Sequence, residues 1–132
     1  MTIAKLEKHI DKIEESYEFF LAYAAQGVSG DQEPNSDLVS FLEATDTALV
    51  FLEEELHAVT ESLTPSSSFT ALADVVRQDA LKTRAAVGLV MAQPAISSQL
   101  IDNLNASIHF RALLTDLFLL DEAMKISIKH GS

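Results

Sequence analysis

Residues 37–63 decide the fold, and they read DLVSFLEATDTALVFLEEELHAVTESL. Within this stretch, apolar or small residues recur at alternating intervals of four and three. They are Leu38, Leu42, Thr45, Leu49, Leu52, Leu56, Val59 and Leu63. This spacing is typical of a helix that packs along its neighbours at a shallow angle. The stretch therefore predicts a long amphipathic helix.

Two other segments carry the same spacing. The seam of the first is Ile3, Leu6, Ile10, Ile13, Tyr17, Phe20, Ala24 and Gly27. The seam of the later one is Phe69, Ala73, Val76, Ala80, Thr83, Val87 and Val90. No stretch of the chain alternates apolar and polar residues as a half-buried strand does. The sequence therefore predicts an all-α protein.

Three prolines, Pro34, Pro65 and Pro94, lie among turn residues and divide the chain into four segments. Because short loops join long helices, sequential helices should be antiparallel neighbours. We therefore predict one domain, residues 1–132, folded as an up-and-down antiparallel four-helix bundle. Its helices are predicted at residues 2–27, 37–63, 68–93 and 96–128.

The ends of these helices carry capping signals. Asn35 or Ser36 can cap the second helix, and Ser67 or Ser68 can cap the third. Gly27 can end the first helix.

The fourth segment has two apolar stripes instead of one. On a helical wheel, one stripe contains Leu100, Ile101, Leu104, Ile108 and Phe118; the other contains Phe110, Leu113, Leu117, Leu120, Met124 and Ile128. A helix in a lone bundle needs a single stripe and a solvated back. The second stripe is explained either by a broad core face or by a homodimer, and large exposed apolar patches are rare on monomers. We expect a homodimer, with its interface at Phe110, Leu113, Leu117, Leu120 and Met124.

Composition excludes several classes of partner and site. The chain has 132 residues, a net charge of −11 and no Cys, which excludes disulfides and thiolate sites. An acidic chain repels phosphate, so neither nucleic acid nor an anionic membrane is an expected partner. No apolar run is long enough to span a bilayer, and no targeting segment is visible, so we expect a cytoplasmic protein.

The negative charge is concentrated in the first half of the chain. Residues 1–63 carry 14 acidic and 3 basic residues, whereas residues 64–132 carry 6 of each. A solvated acidic face accounts for this pattern, and steering of a basic protein partner to the face of helices one and two is the functional alternative.

The chain carries few catalytic or metal-binding patterns. There is no Gly-x-Ser-x-Gly elbow and no Gly-rich phosphate loop, so no catalytic residue is expected. A carboxylate metal bundle needs two Glu-x-x-His motifs, and the chain has one, Glu54 to His57. We expect no metal and no cofactor, and a metal- or cofactor-binding bundle is the third hypothesis.

A second hypothesis comes from His109, which lies on a polar stripe. The stretch Ser107 to Thr115, SIHFRALLT, resembles the phosphoacceptor box of sensor kinases but lacks its acidic residue after the histidine and its proline. Histidine phosphotransfer domains resemble the predicted architecture and typically place Lys and Gly three and four residues after the histidine. His109 is followed there by alanine and leucine, and His9 by lysine and isoleucine. This resemblance implies a histidine phosphotransfer or kinase-docking module that uses His109 or His9.

Taken together, these patterns favour a protein that is not an enzyme. The preferred hypothesis is a helical adaptor, chaperone-like or regulatory protein that is homodimeric through its last helix.

Overall fold

A computed structural model describes residues 2–30 and 35–131, and this part of the chain is helical without a strand. The all-α prediction is confirmed. Residues 31–34, which include the predicted break at Pro34, lie outside the described residues. The helices are α1 Ile3–Ala25, α2 Ser36–Glu54, α3 Leu56–Thr60, α4 Ser66–Met91, α5 Ser98–Ala106 and α6 Ile108–Gly131.

Side-chain caps fix the starts of three helices, and at the start of α5 the Ser97 hydroxyl accepts from the Leu100 amide at 3.1 Å. The Thr2 hydroxyl accepts a hydrogen bond of 3.1 Å from the amide of Lys5 at the start of α1. Asn35 Oδ1 accepts from the amides of Asp37 and Leu38, at 2.8 and 3.2 Å, at the start of α2. Asn35 thereby satisfies amides that have no partner within the helix, as its position in the sequence predicts.

The start of α4 differs from the prediction. This helix begins at Ser66, directly after Pro65, and no side chain caps it. Ser67 and Ser68 lie inside its first turn, so the prediction that one of them is the N-cap is wrong. At the end of α1, Gly27 adopts a φ of +70°, a left-handed conformation that glycine accepts without steric cost.

Two of the four predicted helices are interrupted. The helix predicted at 37–63 breaks at Glu55, whose φ and ψ are −123° and −16°. The helix predicted at 96–128 breaks at Ser107, which is extended with φ −54° and ψ 129°. The Ser107 carbonyl accepts the first hydrogen bond of α6, from the amide of Arg111 at 3.1 Å. Ser107 therefore occupies the N-cap position, which serine favours over a helix interior.

The break at Ser107 changes the neighbour of the last segment. Before it, α5 packs against α1; after it, α6 packs against α4 and touches α1 over a shorter stretch. The Asn105 side chain holds the end of α5 to α1, because its amide donates to the Tyr17 carbonyl at 3.3 Å. The fourth segment is therefore shared between two sides of the protein.

Aromatic contacts show how α1 and α2 lie together. The Phe19 ring stacks on Phe41 with centroids 4.3 Å apart, and His9 stacks on Phe51 at the same distance. The later part of α1 thus meets the early part of α2, and the early part of α1 meets its end.

The five residues predicted at the dimer interface lie inside the core. Their side chains are 0% exposed; they are Phe110, Leu113, Leu117, Leu120 and Met124. Phe110 makes edge-to-face contacts with Tyr17 and Phe20 of α1, at centroid distances of 5.5 and 6.3 Å. Since a buried side chain cannot reach another copy, their expected place at a subunit interface is corrected: this stripe is the side of α6 that closes the core.

A serine fastens the end of α1 to the start of α5. Ser98 Oγ donates to the Tyr23 carbonyl at 2.6 Å and accepts from the Val28 amide at 2.8 Å. The Ser98 amide donates to the Val28 carbonyl at 2.9 Å, and the Tyr23 hydroxyl donates to the Ile96 carbonyl at 2.7 Å. We call these four hydrogen bonds the Ser98 clasp. The clasp supplies partners to the Val28 amide and carbonyl, and it gives a second hydrogen bond to the Tyr23 carbonyl, which also accepts from the Gln26 amide at 3.1 Å.

The first prediction separates the core side of α6 from an exposed leucine of α4. Replacing Leu117 by alanine leaves a cavity and should lower the free energy of unfolding by about 2–5 kcal/mol. The same change at Leu89, which is 65% exposed, should cost less than about 0.5 kcal/mol. Urea denaturation followed by circular dichroism measures both. Equal losses would contradict the assignment of Leu117 to the core.

The second prediction concerns the Ser98 clasp. Ser98→Ala removes the hydroxyl, leaves the Val28 amide and the Tyr23 carbonyl without that partner, and should cost about 1–3 kcal/mol of stability. Ser40→Ala, at an exposed position of α2, serves as the matched control. Indistinguishable urea midpoints for the two variants would show that the clasp does not stabilise the fold.

Candidate interaction surface

The side of α6 opposite the core carries a second seam. It starts at Ile108 and keeps alternating intervals of four and three, through Ala112, Thr115, Leu119, Glu122 and Ile126. We call these six residues the outer face. Ile108, Leu119 and Ile126 are 74%, 59% and 54% exposed. Large apolar side chains that repeat along one helix and face water are characteristic of a contact surface.

An apolar groove borders the outer face on the side of α4. It has a volume of about 320 Å³ and lies between the start of α4 and the later part of α6. Its lining residues are Thr64, Pro65, Ser68, Phe69, Leu72, Ala123, Ile126 and Ser127. Ile126 belongs to both the groove and the outer face. The apolar surface therefore continues from α6 toward α4.

A second groove, of about 260 Å³, borders α6 on the side of α1. Phe118, which is 54% exposed, lines it together with Arg111, Glu14 and Glu18. We call the carboxylate side of this groove, Glu14 and Glu18, the acidic wall.

The acidic wall is short of positive charge. Burial raises the pKa of Glu14, and the carboxylates of Asp11, Asp121 and Glu18 raise it further, while Lys125 opposes them. A cation brought to this wall would therefore be favoured by the charges already present.

Part of the acidic face of α1 and α2 is already neutralised within the chain. Arg84 of α4 pairs with Asp46 at 3.0 Å and with Glu53 at 3.4 Å. Arg77 donates from Nε to the Glu53 carbonyl at 3.1 Å. The proposal of a basic protein partner on this face rests on the remaining exposed carboxylates.

The histidines singled out in the sequence lie in different environments. His109 is exposed near the start of α6, whereas His9 is partly covered by the ring of Phe51. His57 lies 3.2 Å from Glu61, one helical turn away. The structure brings none of these three histidines together, and the phosphotransfer hypothesis stays a prediction. Within residues 2–30 and 35–131, no group of three or more His, Asp or Glu could hold a metal ion.

The third prediction follows from the cover over His9. Burial lowers the pKa of this imidazole, the Lys5 charge lowers it further, and Glu55 acts in the opposite direction. The folded protein then favours neutral His9, so its contribution to stability is full above the ordinary pKa of 6.5 and is lost as the pH falls through the lower folded value.

Proton NMR titration of the ring measures this effect directly. His9 should titrate below 6.5 in the folded protein, and Phe51→Ala should move its pKa toward 6.5 because it removes the covering ring. An unshifted midpoint for His9 in the parent protein would contradict the expectation.

Comparisons with known proteins add no functional assignment. The sequence matches no protein-family model, and the searches of curated proteins and of solved structures found no match. Among the described residues, no helix combines the length and the apolar character needed to cross a membrane.

The outer face is the feature that sequence reasoning missed. Its spacing is visible in the sequence from Ile108 onward, but a helix assumed to run unbroken from residue 96 hides it. The signal that could have found it is Ser107, a residue that favours an N-cap over a helix interior.

Proposed function

We propose that this protein is a non-enzymatic helical interaction protein whose outer face pairs with the outer face of a second copy. The exposure of Ile108, Leu119 and Ile126 on one side of α6 carries the proposal. A two-fold pair buries the same surface of both copies, so one exposed seam is sufficient to build it.

The spacing of the outer face favours an antiparallel pair. Its intervals, four-three-four-three-four, read the same in both directions along α6. In a pair centred on residue 117, Ile108 of each copy meets Ile126 of the partner subunit. Thr115 of each copy then meets the partner subunit's Leu119. Both ends of such an interface are apolar, and a leucine of each copy lies near its middle.

Charge discriminates between the two orientations. In a parallel pair, Glu122 would face the partner subunit's Glu122 within the seam, and such like-charge contacts are destabilising. In the antiparallel pair, Glu122 faces the partner subunit's Ala112, next to the basic Arg111. The antiparallel orientation therefore converts a repulsion into an attraction.

We further propose that the six helices act as the four rods of an up-and-down antiparallel bundle. In this arrangement α2 continues into α3, and α5 continues into α6. The order of packing supports it, because α2 lies between α1 and α4, α4 lies between α2 and α6, and α5 returns to α1. Such a bundle presents the outer face of α6 on its exterior.

The fourth prediction tests the pairing by molecular mass. The parent protein should sediment at twice the chain mass of 14.4 kDa at micromolar concentrations. Leu119→Glu places charges in the seam and should return the protein to a single chain without loss of helicity. Leu21→Glu, at a 48% exposed leucine of α1, should stay dimeric. A parent protein that sediments at the mass of one chain would overturn the proposal.

Cysteine cross-linking tests the orientation, since the chain has no natural cysteine. The double variant Thr115→Cys and Leu119→Cys should form an intermolecular disulfide under mild oxidation. Leu119→Cys alone should not, because in the antiparallel pair it faces threonine. Rapid cross-linking of the single variant would contradict the antiparallel orientation and indicate a parallel pair.

A further inference from the structure

Two carboxyl groups meet where α4 packs against α6. The side chains of Asp79 of α4 and Asp116 of α6 lie close enough to hydrogen-bond when one of them carries a proton, and both are partly buried. Two ionised carboxylates offer only acceptors, so such a contact needs a proton on one of them. The pair joins two helices, and its two aspartates lie 37 positions apart in the chain.

The described residues around the pair leave one oxygen of Asp79 without a donor. Asp79 Oδ2 is buried and meets no donor among the described residues. One turn along α4, Thr83 is fully buried and its hydroxyl has no hydrogen-bond partner in the described chain. An acceptor left without a donor at a buried interface costs free energy, and a proton on the pair removes that cost.

Several charged groups on the neighbouring elements have other partners or face water. On α2, Asp46 and Glu53 pair with Arg84 of α4. On α3, His57 pairs with Glu61, and on α5, Asp102 is exposed.

Close to the pair, Lys82 of α4 and Asp116 of α6 are the charges that act on Asp79 among the described residues. Lys82 is exposed, so its effect is screened by water. Asp116 is therefore the dominant charged neighbour of Asp79.

We propose that Asp79 and Asp116 share one proton and form a pH-sensitive latch between α4 and α6. With the proton in place, one carboxyl donates to the other and the two helices are bonded. Without it, two negative charges face each other across the same interface and push the helices apart. The latch lies under the helix that carries the outer face, and it operates within a single chain, whether or not two copies pair.

The direction of the pH effect follows from the proton balance. Burial, the contact with Asp116 and the charge of Asp116 raise the pKa of Asp79 from 3.8 to about 7. The folded chain thus holds a proton that the unfolded chain releases. The stabilisation is full below the ordinary pKa of 3.8, declines as the pH rises toward about 7, and is absent above it. Most carboxylates in proteins, which are stabilised in the ionised form, act in the opposite direction.

The fifth prediction uses an amide in place of the shared proton. Asp79→Asn supplies a permanent N–H donor to Asp116 and removes one charge, so the latch should stay closed at every pH. Relative to the parent protein, its Tm should be higher by about 3–8 °C at pH 8 and little changed at about pH 5. Asp74→Asn, at an exposed position of the same helix, should follow the parent protein.

Asp116→Asn is the reciprocal variant, with the donor on α6 in place of α4, and it should give the same profile of Tm against pH. It serves as the test if Asp79→Asn does not fold. His9 is present in every protein compared, so its own pH effect cancels in the differences. Thermal unfolding is recorded at one protein concentration so that any pairing contributes equally. Parallel profiles of Tm against pH for parent and Asp→Asn proteins would overturn the latch, as would a carbon NMR titration that places Asp79 near its ordinary pKa.

Discussion

A helix on the outside of a bundle gives one side to the core, and α6 has apolar residues on more than one side. The stripe from Phe110 to Met124 occupies the interior, because it meets α4 and the aromatic rings of Tyr17 and Phe20. Each fully buried leucine there contributes about 1.5–3 kcal/mol. Once that side is used, Ile108, Leu119 and Ile126 face outward. The exposed surface is thus a direct consequence of how the core is filled.

The long seams made most of the fold predictable from sequence. Positions such as Leu38, Leu52 and Val76 are buried as the spacing indicates, and Asn35 caps α2. The breaks at Glu55 and Ser107 were not predictable from spacing, since one non-helical residue turns the chain without disturbing the apolar pattern around it. Local backbone preference decides such points, and it is a weaker signal than burial over many residues.

The candidate surface was predictable only in part. The excess of apolar residues on the last segment pointed to the right helix, but composition could not say which side the core would take. Which side of α6 enters the core depends on where α5 ends and on which residues of α1 contact α6. The pairing of Asp79 with Asp116 is even harder to predict from sequence, because each residue looks like any other polar residue of an amphipathic helix. Only the packing of α4 against α6 places the two carboxyl groups side by side.

The Ser98 clasp has a consequence for the order in which the chain becomes structured. The Val28 amide after α1 bonds a hydroxyl that lies 70 residues further along the chain, and the Tyr23 carbonyl accepts from the same hydroxyl in addition to the Gln26 amide. Because the Val28 amide and carbonyl both bond Ser98, this part of the turn should stay open on a growing chain until α5 has been synthesised and has docked. The end of the first helix is thereby completed by contacts with one of the last segments to be synthesised.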